Sequence, residues 1–248
     1  MAPYSYIVQP QKGHGHTHTI IFLHGKGSNG EECANELFES ETSEHYAPRG
    51  PQTLVDLFPT VRWIFLSAPQ TQSTRFDCIE SQWFDMWSVE NPEEQVDLQV
   101  EGLAESILLL RQTIAEEESK VPQQKMFLAG ISQGFATAIT AFLLDEFHFA
   151  GLVGLCSWMP MGAYRAIENS KKVEIRSNGN TTRVPVFLGH SRDDNVVPID
   201  NGLALRDFLS EREFAVEWHE YSNGGHWINE PRGVEDVVGF LQSNGNCS

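Results

Sequence analysis

The feature that most constrains this chain is Gly130-Ile131-Ser132-Gln133-Gly134. It lies between the apolar run Met126-Phe127-Leu128-Ala129 and the stretch Phe135-Ala136-Thr137-Ala138-Ile139. A serine with a glycine two residues away on each side, a buried strand before it and a helix after it, is the pattern of a sharp turn that lifts a hydroxyl above a sheet edge. The glycines are needed because so strained a turn crowds its neighbours, and a side chain at either position would clash. The start of the following helix favours negative charge beside the hydroxyl. Ser132 is therefore read as a nucleophile, against the plainer alternative of a structural turn.

The rest of the chain alternates short apolar runs with longer amphipathic stretches. Strands are predicted at Tyr6-Val8, Thr19-Leu23, Arg62-Ser67, Lys125-Ala129, Gly151-Cys156, Val184-Gly189 and Ala215-Tyr221. The inner ones are almost continuously apolar, as in strands covered on both faces of a parallel sheet. Helices are predicted at Glu31-Phe38, Gln95-Glu118, Gly134-Asp145, Asp200-Glu211 and Val234-Gln242. Such alternation points to an α/β fold with a mostly parallel sheet, and no repeat or linker divides it. We read one domain over residues 1–248, with its core in 19–242. Two long connections, residues 40–60 and 70–92, are expected near the site, the second because Phe76, Trp83, Phe84 and Trp87 could line an apolar pocket.

A serine hydroxyl needs a base, and on this kind of sheet the partners follow in the order Ser, Asp or Glu, His. Of the nine histidines, His148, His190, His219 and His226 come after Ser132. His148 is too early, and His219 alternates with Trp218 inside a strand, as a structural residue would. His226, in the loop Ser222-Asn223-Gly224-Gly225-His226, is the chosen base. The acid belongs on the loop after Val184-Gly189, where Asp193 and Asp194 are both available and spacing does not choose between them. Asp200 is read as a helix N-cap. The loop Gly25-Lys26-Gly27-Ser28-Asn29-Gly30 after the first inner strand would supply an oxyanion donor at Lys26, with the Gln133 amide as the second and His24 shaping the loop. Those glycines also fit a dinucleotide-binding GxGxxG, a reading that the Ser132 pattern outweighs. His14, His16 and His18 share a face of an extended segment but have no accompanying carboxylate or cysteine, so no metal site is assigned. The run Glu116-Glu117-Glu118 is read as a solvated helix face.

Composition narrows the partners. Seventeen Lys and Arg against 34 Asp and Glu leave a net charge of −17, opposed to nucleic-acid phosphates and to an anionic membrane surface. The longest apolar runs, such as Ile20 to Leu23, are far short of the roughly 20 residues of a membrane span. The first twenty residues show no signal-peptide core, so a cytoplasmic location is expected. The four cysteines, Cys33, Cys78, Cys156 and Cys247, have no paired spacing and read as free thiols. Glycosylation patterns at Asn180 and Asn246 carry no weight in that compartment.

With these residues placed, the sequence resembles the acyl-protein thioesterase and lysophospholipase branch of the phospholipase/carboxylesterase family, from about Thr19 to Leu241. Phe22-Leu23-His24-Gly25-Lys26-Gly27 is similar to its HGxG segment, and Ser67-Ala68-Pro69 to the end of its next strand. Trp83-Phe84-Asp85 is similar to its WFD segment, and Gly130 to Gly134 to its GFSQG turn. Ser157-Trp158-Met159-Pro160 and Asp194-Asn195-Val196-Val197-Pro198 resemble its W-L-P and D-x-x-V-P, and Gly225-His226 falls where the family has its histidine. The chain departs from the family at Ser28, at Phe135, in the order His190-Ser191-Arg192, and in the length of the 40–60 connection.

The resemblance implies a single-domain α/β-hydrolase fold with helices on both faces of the sheet and a triad of Ser132, Asp194 and His226. It implies substrate contacts from Trp83, Phe84 and Trp158, and Phe135, where the chain departs from the family, is expected to reshape the acyl pocket. It also implies a serine hydrolase that cleaves acyl thioesters or carboxylic esters of lipidated proteins or small molecules, with no cofactor. The alternatives are a general carboxylesterase or lysophospholipase acting on soluble or secondary-metabolite esters, and, in another class, a catalytically silent ligand receptor of the same fold.

Overall fold

The structure, a computed structural model, describes residues 5–46, 50–145, 147–170 and 184–245. Pro48, the two glycosylation patterns and Cys247 lie outside the described residues. The chain opens with strands β1 (Ser5–Val8) and β2 (His18–Leu23), helices α1 (Gly30–Glu39) and α2 (Leu54–Leu57), and strand β3 (Val61–Leu66). A hairpin of β4 (Gln70–Ser73) and β5 (Cys78–Ser81) leads to the long helix α3 (Asp97–Glu118). Then come β6 (Met126–Ile131), α4 (Gln133–Leu144), β7 (Gly151–Leu155), α5 (Met161–Ser170), β8 (Val186–Ser191), α6 (Ile199–Ser210), β9 (Val216–Tyr221) and α7 (Arg232–Gly245).

Seven strands form one sheet in the order β1-β3-β2-β6-β7-β8-β9, parallel throughout except for β1, which runs antiparallel to β3. Every residue of β2, β3, β6, β7 and β8 is buried, which is why their sequences read as nearly continuous apolar runs. Side chains alternate between the two faces. Ile21, Ile64, Leu128, Leu152 and Leu188 meet α3, α4, α5 and α6 on one side, and Phe22, Phe65, Phe127, Val153 and Phe187 meet α1, α2 and α7 on the other. The mostly parallel sheet with helices on both faces is thus as expected, and no helix among the described residues is long and apolar enough to cross a membrane.

Several local readings are corrected. Helix α5 and the β4–β5 hairpin were not anticipated, because each hairpin strand has a single buried residue and so no visible alternation. Helix α6 starts directly after Pro198, so Asp200 sits in its first turn beside the positive end of the dipole and is not the cap. Glu117 is no solvated residue: its carboxylate is buried, faces Arg62 at 3.2 Å, accepts from Thr19 Oγ1 and pairs with Lys120. The 40–60 connection meets the site only indirectly, Ser40 Oγ accepting from Trp227 Nε1 at 3.3 Å. Ser40 Oγ donates to Glu230 Oε1 and Ser43 N to Glu235 Oε1, joining it to the α7 side.

Gly134 sets how closely α4 can approach β2. A Cβ there would lie 2.2 Å from the Leu23 carbonyl oxygen and 2.5 Å from that of His24, backbone atoms that cannot move aside. Gly134→Ala is expected to cost about 3 kcal/mol, the upper part of the overpacking range, seen as a lower denaturant midpoint at unchanged slope. Gly239→Ala in α7, where a Cβ meets nothing within 4 Å, should leave the midpoint unchanged or raise it through helix propensity.

Candidate active site

Strand β6 runs to Ile131 and helix α4 starts at Gln133, so Ser132 alone makes the turn between them. Its φ of 55° and ψ of −128° put it in a region that non-glycine residues rarely occupy. Three hydrogen bonds hold it there: Ser132 N donates to Leu155 O at 2.9 Å, and Ser132 O accepts from Ala136 N at 3.0 Å and Ser157 Oγ at 2.8 Å. Gln133 heads α4, where its amide has no carbonyl one turn earlier to bond.

His226 and Asp194 are joined by a 2.8 Å hydrogen bond between Nδ1 and Oδ2. The other carboxylate oxygen of Asp194 accepts the Val196 and Val197 amides at 2.8 and 2.9 Å. Burial works against the charged form of Asp194. Hydrogen bonds from His190 and His226, together with the Val197 amide, outweigh it and hold the carboxyl well below the usual range. Of the two aspartates that spacing left open, Asp194 is the one bonded to His226, while the Oδ1 of Asp193 accepts Gly225 N at 2.9 Å and ties down the loop bearing His226. His190, which the sequence left without a task, donates from Nε2 to Val197 O at 2.9 Å and lies 3.2 Å from Asp194 Oδ2. His219 is structural, bonded to Asp236 and stacked on Phe187.

The loop after β2 is shaped by His24. Its Nε2 accepts Ala68 N at 2.9 Å and its Nδ1 faces Gly25 O at 2.6 Å, which assigns the neutral ring with the proton on Nδ1; burial lowers its pKa in agreement. Gly27 N donates to Ser81 O, and Lys26 Nζ pairs with Glu80 at 2.9 Å, so the hairpin and the loop are one assembly. A Cβ on Gly25 would lie 3.6 Å from Ser132 Cβ, which brings the loop against the serine.

Ser132 and His226 line one cleft of about 430 Å³, together with Lys26, Gln133 and Trp158. Three expected substrate contacts do not reach it. Trp83 and Phe84 are buried beneath the loop, where Trp83 Nε1 donates to His24 O, Trp83 N donates to Gln133 Oε1 and Gln133 Nε2 donates to Phe84 O. Phe135 points under β7 against Gly154, where a Cβ would lie 2.3 Å from its ring. All three fill the core beneath the site; Phe76 and Trp158 do line the cleft, joined by residues not singled out in the sequence, among them Met86, Val89, Glu36 and Trp227. The i, i+3 spacing of Cys33 and Glu36 on an amphipathic helix beside the loop was the signal available for the α1 contribution. The second connection does reach the site through Phe76, Glu80, Met86 and Val89, while no described residue of the first lines it.

Among the described residues one group brings three metal-type donor atoms within 4.8 Å of one another: Cys156, Asp194 and His226. Two of these are already bonded to each other, and burial pushes the Cys156 thiol far above its ordinary pKa, so the set reads as a hydrogen-bonded cluster. His14, His16 and His18 form no such group; His16 and His18 bond instead to Thr19 and Thr17.

The comparisons with known proteins agree with this architecture. The family model described as phospholipase/carboxylesterase matches residues 3–244. Acyl-protein thioesterase 1 of Yarrowia lipolytica is 32% identical over 250 residues, covering 98% of this chain and 99% of its own. Acyl-protein thioesterase 1 of Cryptococcus neoformans is 30% identical over 202 residues, 79% of this chain and 74% of its own. Among solved structures, acyl-protein thioesterase 2 of Zea mays superposes with a TM-score of 0.69 at 24% identity, over 98% of this chain and 99% of its own. Arabidopsis thaliana SOBER1 gives 0.69 at 22%, over 92% and 98%. The likeness of fold is that of α/β hydrolases, and with a model matched along nearly its whole length the chain belongs to the phospholipase/carboxylesterase family.

Proposed function

We propose that this chain is a serine hydrolase of acyl thioesters and carboxylic esters, acting through an acyl-enzyme on Ser132 with His226 as base and Asp194 as acid. The observation that carries the reading is the strained Ser132 opening onto the same cleft as a histidine already bonded to a buried carboxylate. The names of the thioesterase relatives support the same class of reaction.

In this mechanism His226 takes the Ser132 hydroxyl proton as Oγ attacks the acyl carbonyl carbon. The carbonyl oxygen becomes an anion held by the Lys26 and Gln133 amides, and losing one such donor costs about 3 kcal/mol. Collapse of the intermediate breaks the bond to the leaving sulfur or oxygen, which His226 protonates. Water then attacks the acyl-enzyme, giving its proton to the same imidazole, and the acid departs as Ser132 is reprotonated. Asp194 stays ionised and keeps the Nδ1 proton pointing at itself, leaving Nε2 free to accept.

Treatment with a fluorophosphonate should label Ser132 stoichiometrically, and Ser132→Ala should abolish the adduct and lower p-nitrophenyl ester turnover by more than about 10⁴-fold. A labelled residue elsewhere, or substantial turnover untouched by the substitution, would sink the assignment, and equal near-zero rates for both proteins would favour the receptor alternative.

The two neighbouring aspartates should separate cleanly. Asp194→Asn keeps an oxygen for the Val196 and Val197 amides but turns an amide donor toward His226 Nδ1, forcing the wrong tautomer. A fall in kcat of about 10³- to 10⁴-fold is expected. Asp193→Asn still offers an oxygen to Gly225 N and should lose less than about tenfold.

Acyl specificity follows from the walls of the cleft. With Trp83, Phe84 and Phe135 outside it, the apolar side of the cleft is formed by residues such as Met86, Val89 and Trp158. Each methylene buried there is worth up to about 0.8 kcal/mol, so kcat/KM should climb from acetyl to octanoyl thioesters. A maximum at acetyl would favour an esterase of short, soluble esters over the acyl-protein thioesterase activity proposed here.

A further inference from the structure

The cleft around Ser132 takes its walls from both faces of the sheet. Met86, Val89 and Trp158 belong with the core on the α3–α6 side, whereas Cys33 and Trp227 belong with the core on the α1 and α7 side. Glu36 lies three residues after Cys33 on α1, hence on the same helix face, and lines the cleft beside it. The ionisable lining besides His226 and the Cys33 thiol is Lys26, Glu36 and Glu80. Lys26 and Glu80 neutralise each other, and among the described residues Glu36 takes part in no ion pair. The cleft is therefore asymmetric, with an apolar half of no net charge and a half, also walled by the Trp227 indole, that carries the one carboxylate without an ion-pair partner among the described residues.

We propose that the second half selects leaving alcohols and thiols that carry a positive charge close to the scissile bond. Glu36 is then the specificity-determining carboxylate and Trp227 an aromatic wall. The inference rests on the hydrolase reading above and names the substrate class of that same site. An acyl chain cannot profitably desolvate a carboxylate, so it takes the Met86 and Trp158 side, and the leaving group departs past Glu36. There a cation gains Coulomb attraction and a contact that indoles favour, while an anion meets repulsion. The net charge of −17 extends the same bias beyond the cleft. The required chemistry is a cationic group on the leaving fragment, supplied by a small ammonium thiol or alcohol, or by lysines flanking an acylated cysteine.

The test keeps the acyl group constant as octanoyl and varies the thiol: thiocholine, neutral mercaptoethanol, coenzyme A, and cysteine peptides flanked by lysines or by glutamates. At low salt kcat/KM should fall by about fivefold or more at each step from thiocholine to mercaptoethanol to coenzyme A. The steps should shrink in high salt. In Glu36→Gln the ratios should collapse toward one, whereas Glu39→Gln, at the exposed end of the same helix and outside the cleft, should preserve them. A matching gap between the lysine- and glutamate-flanked peptides assigns the charge to peptide substrates, and its absence alongside a thiocholine preference assigns it to a small ammonium compound. Equal kcat/KM across the series, or a cation preference that survives Glu36→Gln, would overturn the proposal while leaving the hydrolase intact. Failure to hydrolyse any of the thioesters would instead overturn the hydrolase reading itself, and this inference with it.

Discussion

The structure depends on one close approach, that of α4 to the end of β2. Gly134 lets the helix start directly beneath the Leu23 and His24 carbonyls, and only then can a single residue, Ser132, span the gap from β6 to α4. The φ of 55° at that residue is the strain that remains. It is held by bonds to β7 and to the segment after it, through Leu155 O and Ser157 Oγ, so the neighbouring strand keeps the serine raised. The same approach brings the loop after β2 against the serine, which makes the proposed nucleophile and oxyanion loop consequences of one packing contact.

A second network carries that geometry outward. The Gln133 side chain clamps the backbone of Trp83 and Phe84, and the Trp83 indole in turn bonds to His24 O. These bulky residues thus support the site from below. His24, kept neutral by burial and by its acceptor role toward Ala68 N, completes the support. The hairpin joins through Gly27 N to Ser81 O and the Lys26–Glu80 pair, so any displacement of the hairpin is felt at the backbone expected to hold the oxyanion.

Charge is distributed with the opposite logic on the two sides of Ser132. Behind His226, Asp194 is a buried anion saturated with donors from His190, His226 and two amides, which keeps it ionised and the imidazole oriented. At the cleft rim, Glu36 faces an opening with no partner among the described residues, in a protein that is acidic overall. The first arrangement suits the proposed chemistry, and the second is the one proposed to bias which substrates arrive.

Much of the architecture was legible from local pattern. Nearly continuous apolar runs read as strands covered on two faces, and the GxSxG context located the turn, because both follow from backbone and burial constraints that act within a few residues. The order of partners along the chain pointed to His226, and the resemblance to Asp194. What the amino-acid sequence could not express was direction. Trp83 and Phe84 read as pocket walls because they are large rings in an aromatic connection resembling the family's WFD segment, and Phe135 because it follows Ser132 closely, yet tertiary packing turned all three inward. Glu117 read as solvated because a charge run carries no record of Arg62, which arrives from a distant strand. The choice between Asp193 and Asp194, the task of His190 and the asymmetry of the cleft likewise depend on side chains meeting from separate elements. The sequence by itself determined the elements, their order and the strained serine, since those are set by periodicity and by glycine. Only the tertiary structure decided which side chains line the cleft, since a residue's neighbours across the fold, unlike its neighbours along the chain, decide where it points.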